Sequence, residues 1–334
     1  MERVGLMQQE KSDRAMWVSW AWVVLLVLCL RAEAAGPLGA GDLLLVVGAS
    51  GSEEYVARFE QQAQGWRRAA EAGGLRFHLV GESEERGVVD KELLRGALGD
   101  LVNGNGLLWV IFVGHGTFDG VEARFNLRGP DLSGSELAEW LRGVERPMVL
   151  VHAFSSSAPF MKAVAGKGRI VITSTRSGYE QSYSRFGDFL PLAFRSLEAD
   201  LDRDGQVSLL EAFLATGHRV EEWYRTEGRL STEHAVLDDN GDGLGVGKDW
   251  FRGVRVVGKA RGGEGVDGWR ARQVYMVPSE EERNLPVAVR GRRDALELEV
   301  FALRERRGEL GDEVYYRELE ALLMRLADLY RGLE

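Results

Sequence analysis

Five short apolar runs mark the first half of the chain, and the stretches between them repeat apolar residues every three or four positions. Residues 43–47 are apolar without a break and end in Gly48-Ala49-Ser50-Gly51. That is the pattern of a strand buried on both faces and followed by a tight turn. Residues 53–72 read as a helix. Ser52 is its expected N-cap, Gly73-Gly74 its stop, and Tyr55, Phe59, Ala63, Trp66 and Ala70 its apolar face. Further strands are predicted at 75–80, 107–113, 148–151 and 170–173, and further helices at 90–102, 133–141 and 159–165. The second of these helices opens with the capping box Ser133-x-x-Glu136. Strands alternating with helices at this spacing predict βαβ crossovers and an α/β fold with a mainly parallel sheet covered on both faces. Functional groups of such sheets collect at the carboxyl ends of the strands.

Beyond residue 185 the pattern changes. Residues 186–216 read as helix, acidic loop, helix. Residues 226–265 are rich in glycine and charge and predict irregular structure. The segments 255–257 and 273–277 are strand-like and are expected to pair at an edge. Pro278 and Pro286 mark a linker, and 290–330 reads as two helices broken near Gly308 and Gly311. Tyr315, Leu319, Leu322, Leu326 and Leu329 form a stripe at three- and four-residue spacing. It suits either a helical hairpin or the seam of a homo-oligomer.

Charge and the amino-terminal run change the picture in two ways. The net charge is −10, and an acidic surface repels phosphate, so nucleic acid is not an expected partner. Residues 16–30 are apolar apart from Ser19, follow Lys11 and Arg14, and precede Ala32-Glu33-Ala34. Fifteen residues at ~1.5 Å each fall short of a ~30 Å hydrocarbon core, which favours a cleaved signal over 1–35 and an exported protein. The alternative is an anchor formed by 16–30. Cys29, the only cysteine, lies in this run. A mature exported chain would then hold no thiol, and its fold would rest on its core and on metal. The expected organisation is signal 1–35, α/β domain 36–198, calcium-loop region 199–265, and edge strands, linker and helical hairpin 266–334.

Two strand ends carry the candidate chemistry. One is Val113-Gly114-His115-Gly116-Thr117. The other is Val151-His152-Ala153-Phe154-Ser155-Ser156-Ser157. Over roughly residues 42–195 this arrangement resembles the caspase/legumain superfamily of cysteine peptidases, in which a His-Gly at one strand end serves an Ala-Cys at the next. The resemblance implies a three-layer caspase-like domain, with His115 as the superfamily histidine and 168–175 as the wall of a substrate pocket. Phe154 stands at the nucleophile's position and has neither lone pair nor proton to offer. The resemblance therefore implies a pseudo-peptidase whose cleft binds a peptide or protein ligand. The alternatives are a hydrolase using Ser155 with His115, and a likeness of fold alone in which His115 is a turn histidine. His152 reads as a core histidine. His78, His218 and His234 show no ligand spacing.

The clearest local motif is Asp200-Leu201-Asp202-Arg203-Asp204-Gly205-Gln206-Val207-Ser208-Leu209-Leu210-Glu211. It fits an EF-hand loop for Ca2+. Asp200, Asp202 and Asp204 take positions one, three and five, and Gly205 makes the turn at six. Gln206 offers its carbonyl, Ser208 holds a water, and Glu211 supplies the bidentate carboxylate. A second set counts Asp238, Asn240, Asp242, Gly243 and Asp249 at positions one, three, five, six and twelve. Its flanks are not helical and Gly245 falls where an apolar residue is expected, so a plain Gly/Asp turn cluster remains the alternative.

Overall fold

The computed structural model describes residues 41–81, 89–258 and 265–331. The expected signal, with the run 16–30, Cys29 and Ala32-Glu33-Ala34, lies outside them. Among the described residues no helix is long and apolar enough to cross a membrane.

Strand β1 (Asp42–Val47) leads into α1 (Glu53–Gly73), β2 (Arg76–Val80), α2 (Asp90–Leu101) and β3 (Leu108–Val113). Three short strands follow: β4 (Gly116–Phe118), β5 (Ala123–Phe125) and β6 (Leu132–Ser133). Next come α3 (Gly134–Trp140), β7 (Met148–Ala153), α4 (Ala158–Val164), β8 (Arg169–Thr173), α5 (Phe186–Ala193), α6 (Leu209–Thr226) and β9 (Val236–Asp238). The remainder is β10 (Phe251–Arg252), β11 (Arg255–Val256), α7 (Trp269–Arg272), α8 (Glu280–Asn284), α9 (Val287–Glu305) and α10 (Asp312–Arg331).

The main sheet runs β2-β1-β3-β7-β8-β9, parallel throughout except for antiparallel β9 at the edge. Period-two alternation sorts its side chains into two cores. Leu43, Leu45, Trp109, Ile111, Val149 and Val151 pack with Phe59, Trp66 and Leu190 from α1 and α5. Leu44, Val46, Val110, Phe112 and Leu150 pack with Leu94, Leu137 and Phe160 from α2, α3 and α4. The result is three layers, as expected for this α/β fold. The capping box at Ser133 and Glu136 is present, whereas Ser52 makes no side-chain cap. The amino end of the sheet is closed by ionic pairing. Burial of Asp42 works to raise its pKa, but hydrogen bonds from Arg76, Arg146 and His78 outweigh this and hold the carboxyl well below the usual range.

The structure corrects two expectations and adds one element that none covered. Residues 226–265 are not wholly irregular, because β9 adds an edge to the main sheet. The segment 255–257 pairs with β10 and not with 273–277. Within 273–277, Tyr275 instead bridges Ser208. The small sheet β4-β5-β6 was not expected at all. Its strands of three, three and two residues are too short for a periodicity to register.

Candidate functional site

Strands β3 and β7 end level, with Val113 beside Ala153. His115 and Phe154 to Ser157 therefore emerge side by side, but they face different layers. Along β7, residues 148, 150 and 152 point toward α4, and Phe154 continues that alternation. Its ring is fully buried against Phe125, Phe160, His152 and Phe112, with centroids 4.8, 5.2, 5.8 and 6.5 Å away. His115 turns the other way, toward α1. Its ring stands edge-on to Tyr55 at 4.4 Å and lies 5.2 Å from Phe59 and 6.2 Å from Tyr183. The Nε2–H donates to the Ser50 carbonyl at 3.2 Å. Burial lowers the His115 pKa, so the ring is neutral near pH 7.

The strand-end hydroxyls are committed. Ser155 Oγ donates to the Gly116 carbonyl at 3.0 Å and accepts from the Gly116 N–H at 3.1 Å, and the residue is 3 % exposed. A Cβ at residue 116 would run into the Phe154 ring and the Ser155 carbonyl, so the close approach needs glycine. Ser174 Oγ donates to the Phe154 carbonyl, and Ser157 shares hydrogen bonds with Ser174 and Thr175. The Tyr183 hydroxyl donates to Asp188 at 2.7 Å and accepts from Gln62 at 2.9 Å. Its pKa is pushed far above the ordinary value, first by burial and then by the Asp188 charge. Ser156 differs. It adopts φ 60° in the turn between β7 and α4, and its buried hydroxyl has no partner among the described residues. No hydrogen bond among the described residues joins His115 to Ser155 or to Ser156. His152 is buried in the aromatic layer, stacked 5.2 Å from Phe112, and burial pushes its pKa down to about 3.

Apart from these two strand ends, between the chain after β8, α6 and the start of β9, lies a cavity of about 580 Å³. Arg176, Glu233, His234, Lys248, Phe186 and Phe213 are among its walls. Glu180 holds His234 Nδ1 at 2.6 Å and Arg176 Nε at 3.4 Å. The buried Glu233 carboxylate accepts from Ser184 Oγ and from the Arg185 and Phe186 N–H groups that open α5.

The acidic loop before α6 folds around a common centre. Oxygens of Asp200, Asp202 and Asp204 lie within 4.8 Å of one another. Asp200 accepts from the N–H groups of Asp204 and Gly205, and Asp204 from that of Gln206. Arg203 and Gly205 have φ 62° and 88°. Three carboxylates this close repel one another, so their oxygens suit a hard cation. The Asp204 pKa is raised, first by burial and then by Asp202 and Asp200.

Ser208 and Glu211 carry a role that the spacing Ser-x-x-Glu signals in its own right: they form the capping box of α6. Glu211 is 1 % exposed and accepts from the N–H groups of Leu201, Asp202 and Ser208 and from Ser208 Oγ. The Gln206 side-chain oxygen accepts from Ser279 N–H. Arg272 pairs with Asp202 at 2.9 Å, a partner the sequence did not signal.

The second loop repeats the scheme. Asp238 accepts from the N–H groups of Gly241 and Gly243, Asn240 from that of Asp242, and Asp242 from that of Leu244. Gly241 and Gly243 have φ 87° and 75°. Asp249 is not brought into this loop. It sits in a short 3₁₀ turn, its side chain 87 % exposed and paired with Lys248. In its place stands Asp267, which accepts from the N–H groups of Asp239 and Asn240. Those are loop positions two and three, the same positions that Glu211 holds in the first loop. Asp267 is 3 % exposed, and burial, then the Asp239 charge, raises its pKa.

No family model and no curated protein matches the chain. Among solved structures it is similar to the Drosophila initiator caspase Dronc, at 13% identity over 65% of this chain and 87% of that one, with a TM-score of 0.43. It is also similar to caspase-1 from Spodoptera frugiperda, at 10% identity over 61% and 88%, with a TM-score of 0.41. A third is drICE, at 9% identity over 62% and 92%, with a TM-score of 0.39.

Proposed function

We propose that this chain is an exported, calcium-stapled binding module on a peptidase-like α/β scaffold, and that it does not perform acyl transfer. One observation carries the reading: the side chain at the expected nucleophile position is a ring buried in the opposite layer from His115. The neighbouring Ser155 spends its hydroxyl on both backbone groups of Gly116. An alkoxide cannot form there without giving up the bond to the Gly116 carbonyl and finding a base. The hydrolase reading with Ser155 and His115 needs both changes at once.

In the binding reading, a peptide or protein ligand enters the cavity beside Arg176, His234 and Lys248. Calcium would be held by Asp200, Asp202, Asp204, the Gln206 carbonyl and Glu211, with water at Ser208. A second ion would be held by Asp238, Asn240, Asp242 and Asp267. When bound, calcium supplies positive charge that cancels the repulsion among these carboxylates and stabilises the folded state by mass action.

A fluorophosphonate probe tests the absence of a serine nucleophile. No labelling of the folded chain is expected. Labelling lost on Ser155→Ala or Ser156→Ala would replace the binding reading with hydrolysis.

A further inference from the structure

Among the described residues, the carboxy-terminal hairpin leaves an apolar face without a partner. Helix α9 docks on the body, with Trp269 of α7 stacked on Phe301 at 3.3 Å. Helix α10 packs on α9 and has one buried residue, Tyr315. The expected stripe of Leu319, Leu322, Leu326 and Leu329 is only half-buried. Beside it runs a second row. Tyr316 is 53 % exposed, Leu323 49 %, Met324 50 % and Tyr330 46 %. On a helical wheel Tyr316, Leu323, Ala327 and Tyr330 fall within about 60°, with Met324 at the border. Scattered exposed apolar residues need no explanation, but a row along a 20-residue helix, interrupted by Glu320, does.

We propose that α10 pairs with α10 of a second copy of this chain, antiparallel, about a two-fold axis near Leu323. Charge decides the partner and the direction. The first turn of α10 carries Asp312 and Glu313, and its last turn carries Arg331. Antiparallel pairing about Leu323 sets Glu313 beside Arg331 of the second copy and Tyr316 beside Tyr330 of the second copy. It also opposes the two helix dipoles. Parallel pairing would set Glu313, Arg317, Glu320 and Arg331 each against its own like charge. Arg331 pairs with Asp328 of its own helix at 3.0 Å, and Arg307 donates to the Tyr316 hydroxyl at 3.2 Å. All four side chains lie on the surface and can re-pair without unfolding either helix. A helix of this length offers a seam of ~30 Å, and a two-fold contact is self-complementary by construction.

Sedimentation of the full chain tests the proposal. Twice the chain mass is expected, and Leu323→Glu is expected to weaken dimerisation on the order of 100-fold, because each dimer receives two charges at its centre. An unchanged far-ultraviolet circular dichroism spectrum for that variant separates lost pairing from lost folding. In a Cys29→Ser background, Leu323→Cys is expected to cross-link to its symmetry mate on oxidation, and Tyr330→Cys is not. A single-chain mass for the parent overturns the proposal. So does a dimer indifferent to Leu323→Glu, or equal cross-linking at 323 and 330, which means parallel pairing. A single-chain mass together with flotation on anionic vesicles would assign the face to a membrane surface instead.

Discussion

The two acidic loops fold alike and are completed differently. Each has a left-handed residue at its fourth position, Arg203 or Gly241, and at its sixth, Gly205 or Gly243. In each, the first aspartate accepts two backbone N–H groups of its own loop. The N–H groups at positions two and three then need an acceptor. Glu211 supplies it to the first loop from the first turn of α6. The second loop has no α-helix directly after it, and Asp267 supplies the acceptor from a distant segment. A carboxylate at that place is therefore a demand of the loop backbone, and a local helix is only one way to meet it.

The strongest way to break this comparison is Glu211→Ala. It leaves three backbone N–H groups without their acceptor, and a loss of about 3 kcal/mol is expected in urea unfolding, with or without calcium. A loss seen only with calcium would make Glu211 a ligand and nothing more. Calcium removal comes next. Chelation is expected to lower the melting temperature of the parent, with part of that response lost in Glu211→Gln and a separate part in Asp267→Asn. A parent indifferent to chelator would leave both loops as purely hydrogen-bonded turns. Arg272→Gln should cost about 1 kcal/mol or less in calcium-free protein, since the Asp202 pair is partly exposed. The same change should tighten calcium at the first loop by freeing an Asp202 oxygen, as calorimetric titration would read. The smallest effect belongs to Asp249→Ala, expected within about 0.5 kcal/mol of the parent and with the same calcium response. A larger effect would return Asp249 to the second loop.

The parallel sheet was legible because buried strands are written as unbroken apolar runs, and the first acidic loop because its donors are consecutive. The direction of Phe154 was also legible in principle. Residues 148, 150 and 152 already share one face of β7, and one more step of two reaches 154. Asp267 left no such trace, because no spacing rule links it to a loop that ends more than twenty residues earlier. β9 was hidden for a related reason: its three residues run directly into the Asp/Gly turn that follows.

Helix α7 is only four residues long, yet it is gripped at both ends. Asp239 accepts from the N–H groups of Gly268 and Ala271 at its start, and Arg272 at its close reaches Asp202. The chain beyond it then holds α6 through the Leu209 N–H bond to Val274. A strut fastened this way transmits loosening from either end to the other. The carboxy-terminal third should consequently melt in a single calorimetric peak together with the sheet, and a protease cut between residues 272 and 279 should release both acidic turns in one event.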